Sequence, residues 1–190
     1  MKNKGLGKMC SYLDNDIKIA GDRPSEDIKR RRQATENGEV YSAEQGKNAR
    51  LLGESVARLF IDDALGADKD ESFRDYELLL QRRLLLSFTV TVAFEQYVAN
   101  DALGGLAQKT FLDTVKKADA ELYRSSSDTG AFSFYYLAYR RGGETERRIG
   151  QTFAMLCSHD GDPIFQELGE ALYCWFSSVV KNKTQELGLS

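Results

Sequence analysis

The chain has 190 residues, is 42% hydrophobic and carries a formal net charge of -3. That is enough apolar material for one core in the usual ~50–200-residue range of a domain. The slightly acidic balance lacks the basic footprint of general nucleic-acid or membrane-surface binding. Three cysteines, Cys10, Cys157 and Cys174, are too sparse for a disulfide scaffold, and no apolar run follows Lys2, Lys4 and Lys8 to make a secretory leader. A reduced, cytoplasmic setting is expected.

Met1 to Asp22 shows no helical period, and Gly5, Gly7 and Gly21 weaken any helix there. Residues 1–22 are read as a weakly ordered or late-packing tail, and 23–190 as a single all-α domain. A first helix is expected from Pro24, since proline suits the first helical position. It runs through Lys29-Arg30-Arg31-Arg32 to Asn37-Gly38. That basic run lacks the two short apolar helices of a helix-turn-helix unit, so it reads as a solvated face.

Ser42 and Gln45 fit a capping box. From there Ala49, Leu52, Val56, Leu59 and Phe60 recur at three- and four-residue intervals, one apolar helical stripe. Gly53 lies beside it and suits close approach of another helix, and the helix is expected to end near Leu65-Gly66. Asp68 to Ser72 reads as an acidic connection.

The stretch from Leu84 to Ala99, LLLSFTVTVAFEQYVA, has almost no polar stripe. A helix without one is buried all round, and this one is too short and interrupted for a bilayer, which needs ~20 apolar residues. It marks a central helix over roughly 73–103, closed by Gly104-Gly105. Further helices are expected over Leu106–Tyr123, Thr129–Arg141 and Glu144–Ser158. A last helix opens at Asp162-Pro163, with Ile164, Leu168, Leu172, Trp175, Phe176 and Val179 on a broad apolar face. About seven helices with short connections make an all-α bundle or orthogonal array.

Two carboxylates fall among apolar positions. Asp63 sits amid the stripe of Leu52, Val56, Leu59 and Phe60, and Glu95 follows Phe88 and Val92 along the central helix. Burial of a carboxylate is costly unless it is paired or protonated. The pair would line an internal polar site facing Arg58, Arg74 or Arg83. The plainer account is a salt bridge to one of those arginines, because structural ion pairs are common.

Cys157 and His159 are the residue types of a thiol–imidazole couple, but a core cysteine followed by a loop histidine is the simpler reading. His159 is the only histidine, which excludes multi-histidine metal sites. Asp160, Asp162, Glu167 and Glu170 could offer oxygen ligands to Mg²⁺ or Mn²⁺, as in helical phosphohydrolases. Against this, Asp162 has an ordinary task as N-cap before Pro163. No metal or other cofactor is assigned.

Arg140, Arg141, Arg147 and Arg148 bracket the Gly142-Gly143 turn beside Tyr135, Tyr136 and Tyr139. Arginine forks and a helix start both suit anions, while ordinary capping and a Glu144–Arg148 pair would also account for them. Phe132, Phe134, Tyr135, Tyr136, Leu137 and Tyr139 spread around nearly the whole helix, so one core face is not expected to absorb them all. No phosphate loop, serine elbow, Cys-x-x-Cys pair or dinucleotide fingerprint is present. The leading expectation is a non-catalytic module acting through a protein partner or self-association, with these seven Tyr and Arg residues as its binding surface. The alternatives are a divalent-metal phosphohydrolase using the 160–170 carboxylates and a small-ligand-binding module built around Asp63 and Glu95.

Overall fold

The computed structural model describes residues 41–69, 76–127 and 129–190. The expected tail over 1–22, the helix from Pro24, the basic run 29–32 and most of the acidic connection lie outside those residues. Among the described residues there are seven α-helices and no strand. They are α1 (Ala43–Lys69), α2 (Tyr76–Tyr97), α3 (Asp101–Ala118), α4 (Ala120–Ser125), α5 (Thr129–Arg140), α6 (Thr145–Leu156) and α7 (Pro163–Glu186). No described helix is long and apolar enough to cross a membrane.

The capping box starts α1 as expected. The Gln45 amide N–H donates to Ser42 Oγ at 3.1 Å, and the Ser42 N–H donates to Gln45 Oε1 at 2.9 Å. Ala49, Leu52, Val56 and Phe60 are buried, whereas Leu59 is partly outside. The partner of this face is α3. A Cβ on Gly53 would overlap the Ala107 carbonyl oxygen, so only glycine lets the two backbones meet. The helix continues beyond Gly66, where nothing obstructs it.

The central helix is α2, which packs against every other described helix. Leu84 to Val90 and Val92 to Phe94 are buried without interruption other than Thr91. The two threonines of this run are satisfied locally: the Thr89 hydroxyl donates to the Leu85 carbonyl at 2.8 Å and that of Thr91 to the Ser87 carbonyl at 3.1 Å. Hydroxyl back-bonding of this kind lets threonine sit in a buried helix.

The helix does not reach residue 103. It ends at Tyr97, and the Ala99 N–H leaves the helical ladder for the Leu189 carbonyl at 2.9 Å. Asn100 then turns to extended backbone and its side-chain oxygen accepts from the Ala102 and Leu103 N–H groups, opening α3. Gly104-Gly105 lies inside α3 rather than ending α2. A second unexpected break falls at Asp119, whose carboxylate accepts from the Glu121 and Leu122 N–H groups and starts α4. Both breaks share one cause: an Asn or Asp side chain offers the backbone a better partner than the continuing helix.

The opening of α7 matches expectation, with Asp162 accepting from the Ile164 N–H at 2.9 Å and Pro163 at the first position. Its buried face is Leu172, Tyr173, Phe176 and Val180, while Ile164 and Trp175 remain outside. Helices α6 and α7 are locked as closely as α1 and α3, because a Cβ on Gly150 would overlap the Gln166 carbonyl oxygen.

Candidate functional site

Asp63 and Glu95 do not meet in an internal site. The Asp63 carboxylate accepts from Arg82 Nε at 3.1 Å and Nη2 at 2.6 Å, a partner outside the three arginines expected. Glu95 is exposed. The reason is that α2 is enclosed only as far as Phe94, and its last turn emerges from the bundle.

The aromatic helix α5 is divided between inside and outside. Tyr135 is fully buried and stacks on Phe88, with ring centroids 5.3 Å apart. Phe132, Tyr136 and Tyr139 present edge-on to the same ring at 5.9, 5.1 and 6.3 Å. Such edge-to-face pairs are favoured by the ring quadrupoles. Tyr135 is therefore a core residue and not part of a binding surface. Its hydroxyl is enclosed without a hydrogen-bond partner, and burial pushes its pKa well up, with Cys157 adding to the effect. Phe134 and Leu137 take the opposite face and are 50% and 58% exposed.

The arginine corner is also redistributed. Gly142, Gly143 and Glu144 follow one another in left-handed backbone, at φ 65°, 51° and 36°. The Arg148 guanidinium donates to the Gly142 and Gly143 carbonyls, so it holds the turn together rather than waiting for an anion. Glu144 pairs with Arg147 at 3.5 Å, not with Arg148. Arg140 and Arg141 are exposed at the end of α5.

The 160–170 carboxylates do not form a metal site: among the described residues no group of three His, Cys, Asp or Glu side chains is placed to hold an ion. Asp162 is occupied as the α7 cap. Cys157 is buried at the end of α6, while the His159 ring lies flat on Phe165 with centroids 3.7 Å apart. The imidazole's face is thus committed to packing, and its Nδ1 lies 4.0 Å from Asp162 Oδ2.

Two clefts that the sequence does not announce take wall residues from the Phe88 cluster, Tyr139 in one and Phe132 and Tyr136 in the other. The first, about 460 Å³, is lined by Tyr97, Tyr139, Tyr173, Glu146, Cys174 and Ser177 among others. The Tyr97 hydroxyl and Ser177 Oγ are 3.1 Å apart. Burial pushes the Tyr173 phenol far above its ordinary value, with Tyr139 and Tyr97 adding to it. The Cys174 thiol is raised by burial and then by the Glu146 and Glu170 carboxylates. A thiol held protonated is a poor nucleophile, so this cleft offers phenol and serine hydroxyls beside the Glu146 carboxylate rather than an activated thiol.

The second cleft, about 420 Å³, lies where α2, α3, α4 and α5 meet, with Thr91, Gln108, Leu112, Tyr123, Phe132 and Tyr136 in its wall. Gln108 Nε2 donates to Thr91 Oγ1 at 3.1 Å, and that hydroxyl donates onward to the Ser87 carbonyl at 3.1 Å. Gln108 Oε1 is closed off from solvent and has no hydrogen-bond partner. An acceptor left in that state typically costs ~1–3 kcal/mol. The signal in the sequence is weak: Ser87 and Thr91 are spaced one turn apart in a run that also holds Thr89, and Gln108 stands on the next helix.

No protein-family model, curated protein or solved structure matches the chain.

Proposed function

We propose that the protein is a non-catalytic, cytoplasmic module that binds a protein partner, another chain or a second copy of itself, through the outer face of α5. The observation that carries this reading is the pairing of Phe134 and Leu137 one turn apart, each at least half exposed, on a helix that ends in exposed Arg140 and Arg141. Aromatic and arginine side chains are enriched where proteins meet, and charge at the rim sets the partner. The fitting partner presents an apolar ridge flanked by carboxylates. The contact surface is narrower than the sequence suggested. Tyr135 is interior, Tyr136 and Tyr139 lean inward, and Arg147 and Arg148 are engaged within their own turn. Neither of the two described cysteines, Cys157 and Cys174, is in a disulfide, which is compatible with a reduced compartment.

A photo-crosslinking residue placed at Leu137 tests the surface, with the same residue at Leu59 on α1 as the comparison. One defined protein adduct at 137, absent at 59 and lost in the Arg140→Glu/Arg141→Glu variant, supports the reading. Absence of a defined adduct at 137, or the same adducts at both positions, overturns it.

A further inference from the structure

The second cleft has the composition of a small-molecule site. None of its lining residues is charged. Phe132, Tyr123 and Tyr136 supply aromatic surface and Leu112 aliphatic surface. The polar groups are Gln108, Thr91, Ser87, Ser127 and Ser133. Its volume of about 420 Å³ falls in the ~300–1,000 Å³ range of ligand pockets, which are mostly apolar with a few placed polar groups.

The hydrogen-bond chain fixes what the polar group can do. Thr91 Oγ1 gives its one proton to the Ser87 carbonyl, so toward Gln108 it can only accept. The amide nitrogen must therefore face Thr91, and the carbonyl oxygen Oε1 is the group left over. That oxygen is closed off in this state, but glutamine's terminal torsion is broad, and binding would require the amide to turn so that Oε1 meets an incoming donor. A ligand with an N–H or O–H would meet a demand that the protein itself leaves unmet. A charged ligand would find no counter-ion among the lining residues, although Lys116 Nζ stands 5.6 Å from the centroid of the Tyr123 ring.

We propose that this cleft binds an uncharged aromatic small molecule that donates one N–H or O–H hydrogen bond to Gln108, with its ring against Phe132 and Tyr136. The site is separate from the outer face of α5 and does not depend on it, since Phe134 and Leu137 lie on the other side of that helix.

Indole, benzofuran and benzoate serve as probes, titrated into the full chain and followed by ligand-observed NMR. Indole and benzofuran share their shape, but only indole has a donor. Indole is expected to bind, benzofuran to bind roughly tenfold more weakly for want of the donor, and benzoate to give no signal. Gln108→Leu should erase the preference for indole. Leu112→Trp, which fills the cleft from one turn beyond Gln108, should abolish binding of both. Equal binding of indole and benzofuran to the parent, no binding of either, or unchanged binding in Leu112→Trp would overturn the proposal.

Discussion

Asp63 on α1 and Arg82 on α2 form a two-pronged ion pair, with Nε and Nη2 of the guanidinium each donating to one carboxylate oxygen. Both side chains are largely enclosed, at 16% and 19% exposure. This pair fastens the end of α1 to the first turns of α2, where the central helix is only partly covered. Fork-to-fork geometry is stronger and more directional than a single contact.

Removing one partner leaves the other half-buried and charged. Asp63→Ala is expected to destabilise by about 1.5–3 kcal/mol, the range for hydrogen bonds to charged groups. Urea unfolding of Asp63→Ala, Arg82→Met and the double variant measures the coupling directly. A loss below ~0.5 kcal/mol would place the pair with ordinary surface bridges.

Two glycines in helices should respond oppositely to alanine. At Gly53 the new methyl would collide with the Ala107 carbonyl of α3, and overpacking of this kind costs ~1–3 kcal/mol. At Gly105 nothing lies within reach, and alanine should stabilise α3 by about 0.5–1 kcal/mol. Thermal melts of the two single variants decide the matter. A stabilised Gly53→Ala would mean that α1 and α3 are farther apart than described.

The features legible in the sequence are those set by neighbouring residues. Ser42 with Gln45 and Asp162 with Pro163 announce helix starts because the cap and the N–H groups it serves lie within three positions. The burial of Leu84 to Phe94 was legible because a helix without a polar stripe has no side to turn toward water. The break at Asn100 carried its own signal, a capping residue followed by Asp101. That signal competes with the apolar run before it and with Gly104-Gly105, which has the composition of a helix stop. Gly104 instead packs inside α3, where a Cβ would make ordinary contact with the Phe94 carbonyl at 3.4 Å. The partner of Asp63 and the two clefts were not legible, because each depends on side chains brought together from different helices.

Glu95 shows the limit of reasoning from period alone. Since it stands on the emerging turn of α2, Glu95→Gln and Glu95→Leu should both melt within ~0.5 kcal/mol of the parent, as surface substitutions do. Its charge is still felt nearby, because after burial it is the next contributor to the raised phenols of Tyr136 and Tyr139. Glu95→Gln should therefore lower the pH at which those two phenols ionise. A spectrophotometric tyrosinate titration identical to the parent's would show that the carboxylate is screened from them.

The interior tyrosines predict how the fold fails in alkali. Tyr135, Tyr136, Tyr139 and Tyr173 all have phenols raised above the ordinary value of 10.0, chiefly by burial. Below about pH 10 they are neutral in both folded and unfolded chains, and their contribution is intact. Above it the unfolded chain releases protons that the folded chain keeps, so stability falls as pH rises toward the folded values. For the fully buried Tyr135 alone the slope approaches ~1.4 kcal/mol per pH unit. Tyr135→Phe isolates this effect, since it removes a hydroxyl that has no hydrogen-bond partner and leaves the ring on Phe88. The variant should be as stable as the parent at pH 7, or more so by up to ~1–3 kcal/mol as the unmet polar group disappears. Its melting temperature should also decline less steeply above pH 10. A variant that is clearly less stable at pH 7 would show that the hydroxyl has a partner in solution, and an unchanged alkaline slope would show that Tyr135 is not among the phenols that unfold the protein.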